Sequence, residues 1–465
     1  MHPIHGTLDR TIADTMSLSA NNRSPDTLAD VADLNPRVTA PKMAMFLVLA
    51  TMLPQGLNIS PGGILLTTPR IVLLISLPIL LVRILQGQSK PGLRFNLSDA
   101  IVCLVALWMF LSVSMTQGIV RSLVGSSVMI LELCGSYFLI RASLSRPGET
   151  VAVARFLACI IAVDGLLSAL DVLTERPFML DLADSLTGYS QPWQQDYRHG
   201  FMRALGMQEH PIAFGNVCAF GALLSLTLMR GFRRVAVLAG CLTGLATSDS
   251  SAPIMGFFLA CGLLVYHRIM ARMAWRWWLL IISGGVFLSA FLAIHPFPFS
   301  FLIQHTTSNP QDGFYRLLIW SILGPLVQAN PLFGLGLESD WAERFSVLNT
   351  IDSFWLASAV NFGIVGSSLL GLMLIGACNR PVRQSLGMTE DDTRLGRSLG
   401  IIVFLYIYLG FTVHFWGTCW ILIGVFSAMR AHLGDLSALH EDTGETHFLS
   451  PSDYGAHRVG VSGHL

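Results

Sequence analysis

Apolar residues along this chain come in long unbroken blocks. They stand near 42–58, 64–85, 98–116, 119–141, 151–173, 211–229, 233–249, 252–267, 277–296, 353–377, 398–413 and 414–431. A helix needs about 20 apolar residues to cross a bilayer, so the pattern predicts an all-α polytopic membrane protein with about twelve transmembrane helices. The shortest blocks are the first, the pair around Ser248 and the two divided at His414. Polar sequence flanks the blocks. Residues 1–41 and 432–465 are expected to be flexible tails, with the membrane domain at 42–431. Two long connections, about 174–210 and 297–352, remain among short ones. Long connections are functional or disordered. These hold Trp193, Tyr197, Phe201, Phe314, Tyr315, Trp320 and Trp341, which argues for order.

Composition sharpens the class. The 465 residues are 52% hydrophobic and 12% charged, with mean hydropathy +0.59; a soluble domain is about 25% charged. The formal net charge is zero, which argues against nucleic acid as a partner. Cys103, Cys134, Cys159, Cys218, Cys241, Cys261, Cys378 and Cys419 all fall within or beside apolar blocks, with no CxxC pair. They read as small buried apolar residues, neither a disulfide framework nor a zinc site. The start of the chain lacks an apolar h-region, so the first membrane helix is expected to direct insertion.

Basic residues sort between alternate connections. One set holds Arg83, Lys90, Arg94, Arg141, Arg146, Arg155, Arg230, Arg233 and Arg234, and continues with Arg268, Arg272, Arg276, Arg380, Arg383, Arg394 and Arg397. The intervening short connections have almost none. The positive-inside rule therefore puts both termini in the cytoplasm and both long connections outside. Intramembrane charges are few: Arg70, Glu132, Asp164 and Asp171. Glu132 and Asp164 are open to three readings: a proton path, pairing with arginines, or the wall of a wet cavity.

The stretch "GFYRLLIWSILGPLVQANPLFGLGLESDW", 313–341, is the most informative. A helix over 313–328 would place Asp312 at the N-cap and Arg316 and Trp320 on one face. Asn330-Pro331 would stop it, and Gly334 and Gly336 would turn the chain. Arg316 would either pair with Asp312 or snorkel to headgroups, or bind a phosphate through its planar fork. In "HGFMRALGMQEHPIAFGN", 199–216, Arg203 precedes Gly206, His210 and a helix-opening Pro211. In "TIDSFWLASAVNFGIVG", 350–366, Asp352 opens a span, as a cap or as a reactive carboxylate.

These three segments, in this order, resemble the O-antigen ligase and Wzy-type polysaccharide polymerase superfamily. "RLLIWSILGPLVQANPLFGLGL" is similar to that family's large-loop signature: an arginine, a tryptophan four residues on, and an Asn/His-Pro-Leu-Phe-Gly-x-Gly turn. "RALGMQEHPIAFGN" and "DSFWLASAVNFGIVG" resemble its segments before and after that loop, and the resemblance covers about 45–430. Two positions depart: Asp352 stands where ligases usually carry a histidine, and Asp249 where an arginine is common. A polymerase or a diverged ligase therefore fits better than the usual ligase pattern.

The resemblance implies a GT-C-like glycosyltransferase of the bacterial inner membrane. Its donor would be an undecaprenyl-diphosphate-linked oligosaccharide, polymerised at the outer face. The alternatives are a ligase passing lipid-linked glycan to an acceptor such as lipid A core and, more distantly, a transporter. Arg203 and Arg316 would bind the diphosphate. Asp352 would be the general base, with His210 or His305 as substitutes. Trp320, Pro331, Gly334 and Gly336 would shape the loop. No cofactor and no metal is expected, since no DxD motif stands on the outer face. Expected partners are the lipid-linked substrate, membrane lipid, a flippase and a chain-length regulator.

Overall fold

Every apolar block predicted to span becomes a helix in the computed structural model, which describes residues 41–60, 65–85, 95–188, 195–294, 310–337, 351–384, 388–415 and 417–448. The first helices are α1 (Lys42–Met52), α2 (Thr68–Leu85), α3 (Leu97–Gln117), α4 (Ile119–Ser143) and α5 (Glu149–Thr174). A short α6 (Phe178–Thr187) precedes α7 (Pro211–Leu228), α8 (Gly231–Thr247), α9 (Ser251–Ile269) and α10 (Arg276–Ile294). Then come α11 (Pro310–Ala329), α12 (Phe354–Gly376), α13 (Glu390–Leu409) and α14 (Gly417–Phe448). Among the described residues, strand structure amounts to two antiparallel ladders of two-residue strands, β1 (Asn58–Ile59) with β2 (Leu66–Thr67) and β3 (Tyr197–Arg198) with β4 (Phe201–Met202). Among the described residues, eight helices are long and apolar enough to cross a membrane: α3, α4, α5, α7, α9, α10, α12 and α14 over Gly417–Leu439. The protein is thus an all-α chain of multi-pass membrane character.

Helix packing explains why α7 and α14 are so apolar. Most of α7 is buried, including Phe214, Val217, Cys218 and Phe220, and α14 is buried from Thr418 to Ser437. These two form the centre, with Tyr406 of α13 packed against Phe220 and Phe426. In contrast, α10 has no buried residue at all. Its apolar faces require a lipid or protein surround. Cys103 and Cys159 are likewise exposed, unlike the other six cysteines. They sit on outward helix faces of α3 and α5, so here an apolar position did not mean a buried one. Between α5 and α8 the backbones cross closely: a Cβ on Gly165 would stand 2.2 Å from the Gly240 carbonyl oxygen. Small residues at such crossings replace the hydrophobic driving force that lipid removes.

Polar clasps lock one end of the bundle. Arg141, 1% exposed, forms a bidentate pair with Asp99 (Nε–Oδ1 and Nη2–Oδ2 both 3.0 Å) and reaches Asp435 at 2.7 Å. Asp435 also accepts from Arg380 and from Asn96, each at 2.7 Å. The clasp therefore joins α3, α4 and α14. It also moves a boundary. The flexible tail expected from residue 432 is instead a continuation of α14, with His432, Leu433, Asp435 and Ser437 buried. Their polar pattern serves buried pairs, not solvent. The tail expected at 1–41 lies outside the described residues except for its last position, as do residues after 448.

Candidate functional site

At the opposite end of the bundle a polar cavity of about 190 Å³ opens between the two long connections. Its wall is Asp196, Arg198, Arg203, His210, Ile212, Ser250, Ser251, Ala252, Arg316 and Asp352. Four of the five residues that the resemblance assigned to diphosphate binding or proton transfer, Arg203, His210, Arg316 and Asp352, line it, although 149 positions separate Arg203 from Asp352. Three arginines face two aspartates, which leaves the wall one positive charge in excess.

Buried carboxylates place the first connection. Asp171 of α5 accepts from the backbone N–H of Phe178 at 2.9 Å, of Gly206 at 2.8 Å and of Leu205 at 3.2 Å. One turn-pair earlier, Asp164 accepts from Met207 N–H at 3.0 Å. These two intramembrane acids are thus backbone staples for 205–207. Glu132 pairs with Arg70 at 2.8 Å, which is the arginine-pairing alternative. Upstream, the β3–β4 hairpin turns at His199-Gly200 and sets Arg198 beside the cavity. His199 Nδ1–H donates to Asp249 Oδ2 at 2.8 Å. The acid found where an arginine is common thus ties the hairpin to the α8–α9 turn.

Arg203 is committed to structure as well as lining the cavity. It is 2% exposed; its Nε donates to the Ser248 carbonyl at 3.0 Å, its Nη2 to Ser250 Oγ at 2.5 Å, and its Nη1 to Asp196. Three of its five N–H groups are already placed. His210 is the N-cap of α7: its Nδ1 accepts from Ile212 N–H at 3.1 Å. That bond fixes the neutral tautomer with hydrogen on Nε2. Burial, with Arg203 adding to it, pushes the imidazole down to about 4. A neutral ring with its acceptor nitrogen engaged is a poor proton acceptor.

The second connection supplies Arg316 and Asp352. Helix α11 begins at Pro310, so Asp312 lies in its first turn and not at its cap. Arg316 shares a face with Ile319 and Leu323, and these pack with Ile351, Leu356, Ala357 and Val360. Arg316 is 7% exposed and lines the cavity, so it does not snorkel outward. Trp320 packs at the edge of the same cluster. Ser353, not Asp352, caps α12: its Oγ accepts from Leu356 N–H at 3.4 Å. That leaves Asp352 on the cavity wall with no capping duty. His305 and Trp341 lie outside the described residues.

Pro331, Gly334 and Gly336 do not touch this cavity; they build the support beneath α11. The turn after Asn330 docks on a break in α12 at Gly363 (φ 75°, ψ 174°). Ile364 N–H donates to the Pro331 carbonyl at 2.8 Å, Leu335 N–H to Val360 at 2.7 Å and Gly336 N–H to Asn361 at 3.2 Å. Gly334 and Gly363 both take positive φ, and a Cβ on either would meet a facing carbonyl oxygen at 2.4 or 1.9 Å. Phe333 stacks on Trp108 of α3 with centroids 5.4 Å apart. This exchange of backbone bonds holds α11, and hence Arg316, against α12.

Asp196, Arg198 and Ser250 were missed by the sequence reading. The available signals were the His-Gly turn between alternating residues and the polar Ser-Asp-Ser-Ser run, both weak. A half-buried pair adjoins the site: Glu209 accepts from Gln55, and a Cβ on Gly417 would stand 3.0 Å from Glu209 and 3.9 Å from Glu132. Burial pushes the Glu209 carboxyl up to about 7, helped by Glu132 and opposed by Arg70. Among the described residues no group of three His, Cys, Asp or Glu side chains could hold a metal ion. Compared with known proteins, the chain matches no protein-family model and no curated protein.

Proposed function

We propose that the protein is a membrane glycosyltransferase that polymerises oligosaccharide repeat units carried on undecaprenyl diphosphate, at the outer face of the bacterial inner membrane. One observation carries the reading: Arg203, Arg316, His210 and Asp352, drawn from three distant segments, share one polar cavity at a helix-bundle end. Arg316 and Arg198 would meet the charge that develops on the departing diphosphate, where a preorganised planar fork is most effective. Arg203 would hold the wall together while offering its remaining N–H groups. His210 Nε2–H would donate to the same oxygens. Asp352 would accept the acceptor hydroxyl's proton as the new glycosidic bond forms at the anomeric carbon and the bond to diphosphate breaks.

Two experiments test this. In a deletion strain, polymer is lost and single repeat units remain on the lipid; polymer that persists on lipid beside a bare lipid A core would mean ligase, and unchanged glycan would defeat both. In the complemented strain, Asp352→Asn lowers transfer by about 10²–10⁴-fold, the usual worth of a general base. Because Ser353 caps α12, protein level should hold. Near-normal polymer from Asp352→Asn would remove the base.

A further inference from the structure

A second concavity lies at the other end of the same helices. Its volume is about 420 Å³, and it is lined by Leu226, Thr227, Arg234, Leu264, His267, Arg268, Ala271, Arg394 and Arg397. Helices α7 and α9 have the polar cavity at their starts and this cleft at their ends, about 24 Å away for 16 residues of helix. Nothing in the glycan reading uses it.

Its charge is not balanced from within. Arg394 has carboxylates, Glu390 at 2.5 Å and Asp391 at 3.6 Å. Those acids are shared with Arg155 and Arg230. Among the described residues, no carboxylate lies within 4.0 Å of Arg234, Arg268 or Arg397. Arg276 approaches too, donating to His267 Nδ1 at 3.2 Å. That bond leaves Nε2 to carry the hydrogen of a neutral ring. Like charges from α8, α9 and α13 thus converge on one hollow, an arrangement that is destabilising until a counter-ion enters.

A general excess of positive charge at this end would follow from membrane topology alone. Convergence on a cleft does not follow from it, and neither does the apolar floor of Leu226, Leu264 and Ala271. The surroundings favour a lipid as the anion's source. Helix α10, which starts beside the cleft, buries nothing. Trp275 and Trp278 near its start are 57% and 67% exposed, at the level where indole rings anchor to headgroups.

We propose that this cleft binds the phosphate headgroup of an anionic membrane lipid, with Arg268, Arg397 and Arg234 on the phosphate and the apolar floor against the glycerol and upper acyl chain. The test uses the full chain purified in neutral detergent. Phosphatidylglycerol, phosphatidylcholine and inorganic phosphate are added separately; lipid retention is read by native mass spectrometry and melting temperature by intrinsic fluorescence. Phosphatidylglycerol should be retained and should raise the melting temperature, while the other two should not. In Arg268→Gln/Arg397→Gln, retention should fall roughly thirtyfold, two basic groups at about fivefold each. Arg146→Gln/Arg383→Gln, which removes two exposed arginines outside the cleft at the same end, should retain lipid like the parent. Arg268→Glu alone, at an exposed position, gives the same reading if the double variant does not fold. Equal loss in the Arg146/Arg383 variant would reduce the effect to diffuse surface charge and overturn the proposal. An equal thermal shift with inorganic phosphate or phosphatidylcholine would do so too.

Discussion

Arg203 and Arg316 look alike in the sequence, each a lone arginine ahead of a glycine turn, yet the structure separates their work. Arg203 closes two hydrogen bonds that join the first long connection to the α8–α9 turn and a third within that connection, to Asp196. Removing it takes a charged donor from the Ser248 carbonyl, which keeps only Ser250 Oγ–H at 3.0 Å, and from Ser250 Oγ, a loss of about 2 kcal/mol. Arg203→Ala should therefore lower both melting temperature and membrane level. Arg316→Ala should lose polymer at normal level, and Arg316→Lys should rescue poorly because a point charge lacks the fork. Quantitative immunoblots beside glycan gels distinguish the two. Glu209 gives a pH signature. Its carboxyl titrates near 7 in the fold and near 4 when unfolded, so the unfolded state ionises first and the fold loses stability as pH rises between those values. Glu209→Gln removes that loss. Its melting temperature should match the parent near pH 4 and exceed it by a growing margin up to about pH 8; a constant difference would contradict the shift.

At the scale of elements, α11 and α12 depend on one docking. The Asn330-to-Leu337 turn lends its backbone to the break at Gly363, and both partners are specified by glycines with positive φ. Gly363→Ala would drive a methyl into the Leu332 carbonyl and strain a conformation that costs a non-glycine residue about 1–3 kcal/mol. The expected result is loss of polymer together with faster proteolysis at 310–337, while the buried α7–α14 centre stays protected. Uniform protection with full activity would show that the docking is dispensable. The Pro-Leu-Phe-Gly-x-Gly turn was legible in the sequence as a turn. Its partner was not, because Gly363 sits inside an apolar run with nothing to mark a break.

Across the whole molecule, the polar cavity and the basic cleft mark the two ends. The positive-inside rule leads us to expect the cavity end on the outside. A GFP fusion near residue 310 should be dark and a phosphatase fusion there active, whereas a C-terminal GFP fusion should fluoresce. Fluorescence at 310 would invert the molecule and the proposed reaction with it. The Arg141–Asp99–Asp435 clasp lies at the cytoplasmic end in this arrangement. Its cost if broken, about 3–5 kcal/mol for an orphaned buried charge, explains why α14 runs on past the expected boundary.

The sequence by itself determined the helices and the candidate residues. Apolar block length is a local property, and a bilayer reads it directly, so each expected block became a helix. The short motifs were legible for the same reason: an arginine, a proline turn or a helix-opening aspartate is visible without its neighbours. What required the tertiary structure was every pairing. Whether an intramembrane acid meets an arginine, as Glu132 does, or a backbone N–H, as Asp164 and Asp171 do, depends on which helices adjoin. Which side of α12 Asp352 faces depends on Ser353 taking the cap. Which faces of α3, α5 and α10 meet lipid cannot be read from hydropathy either. Lipid and protein core are equally apolar, so burial inside this bundle was decided by packing alone.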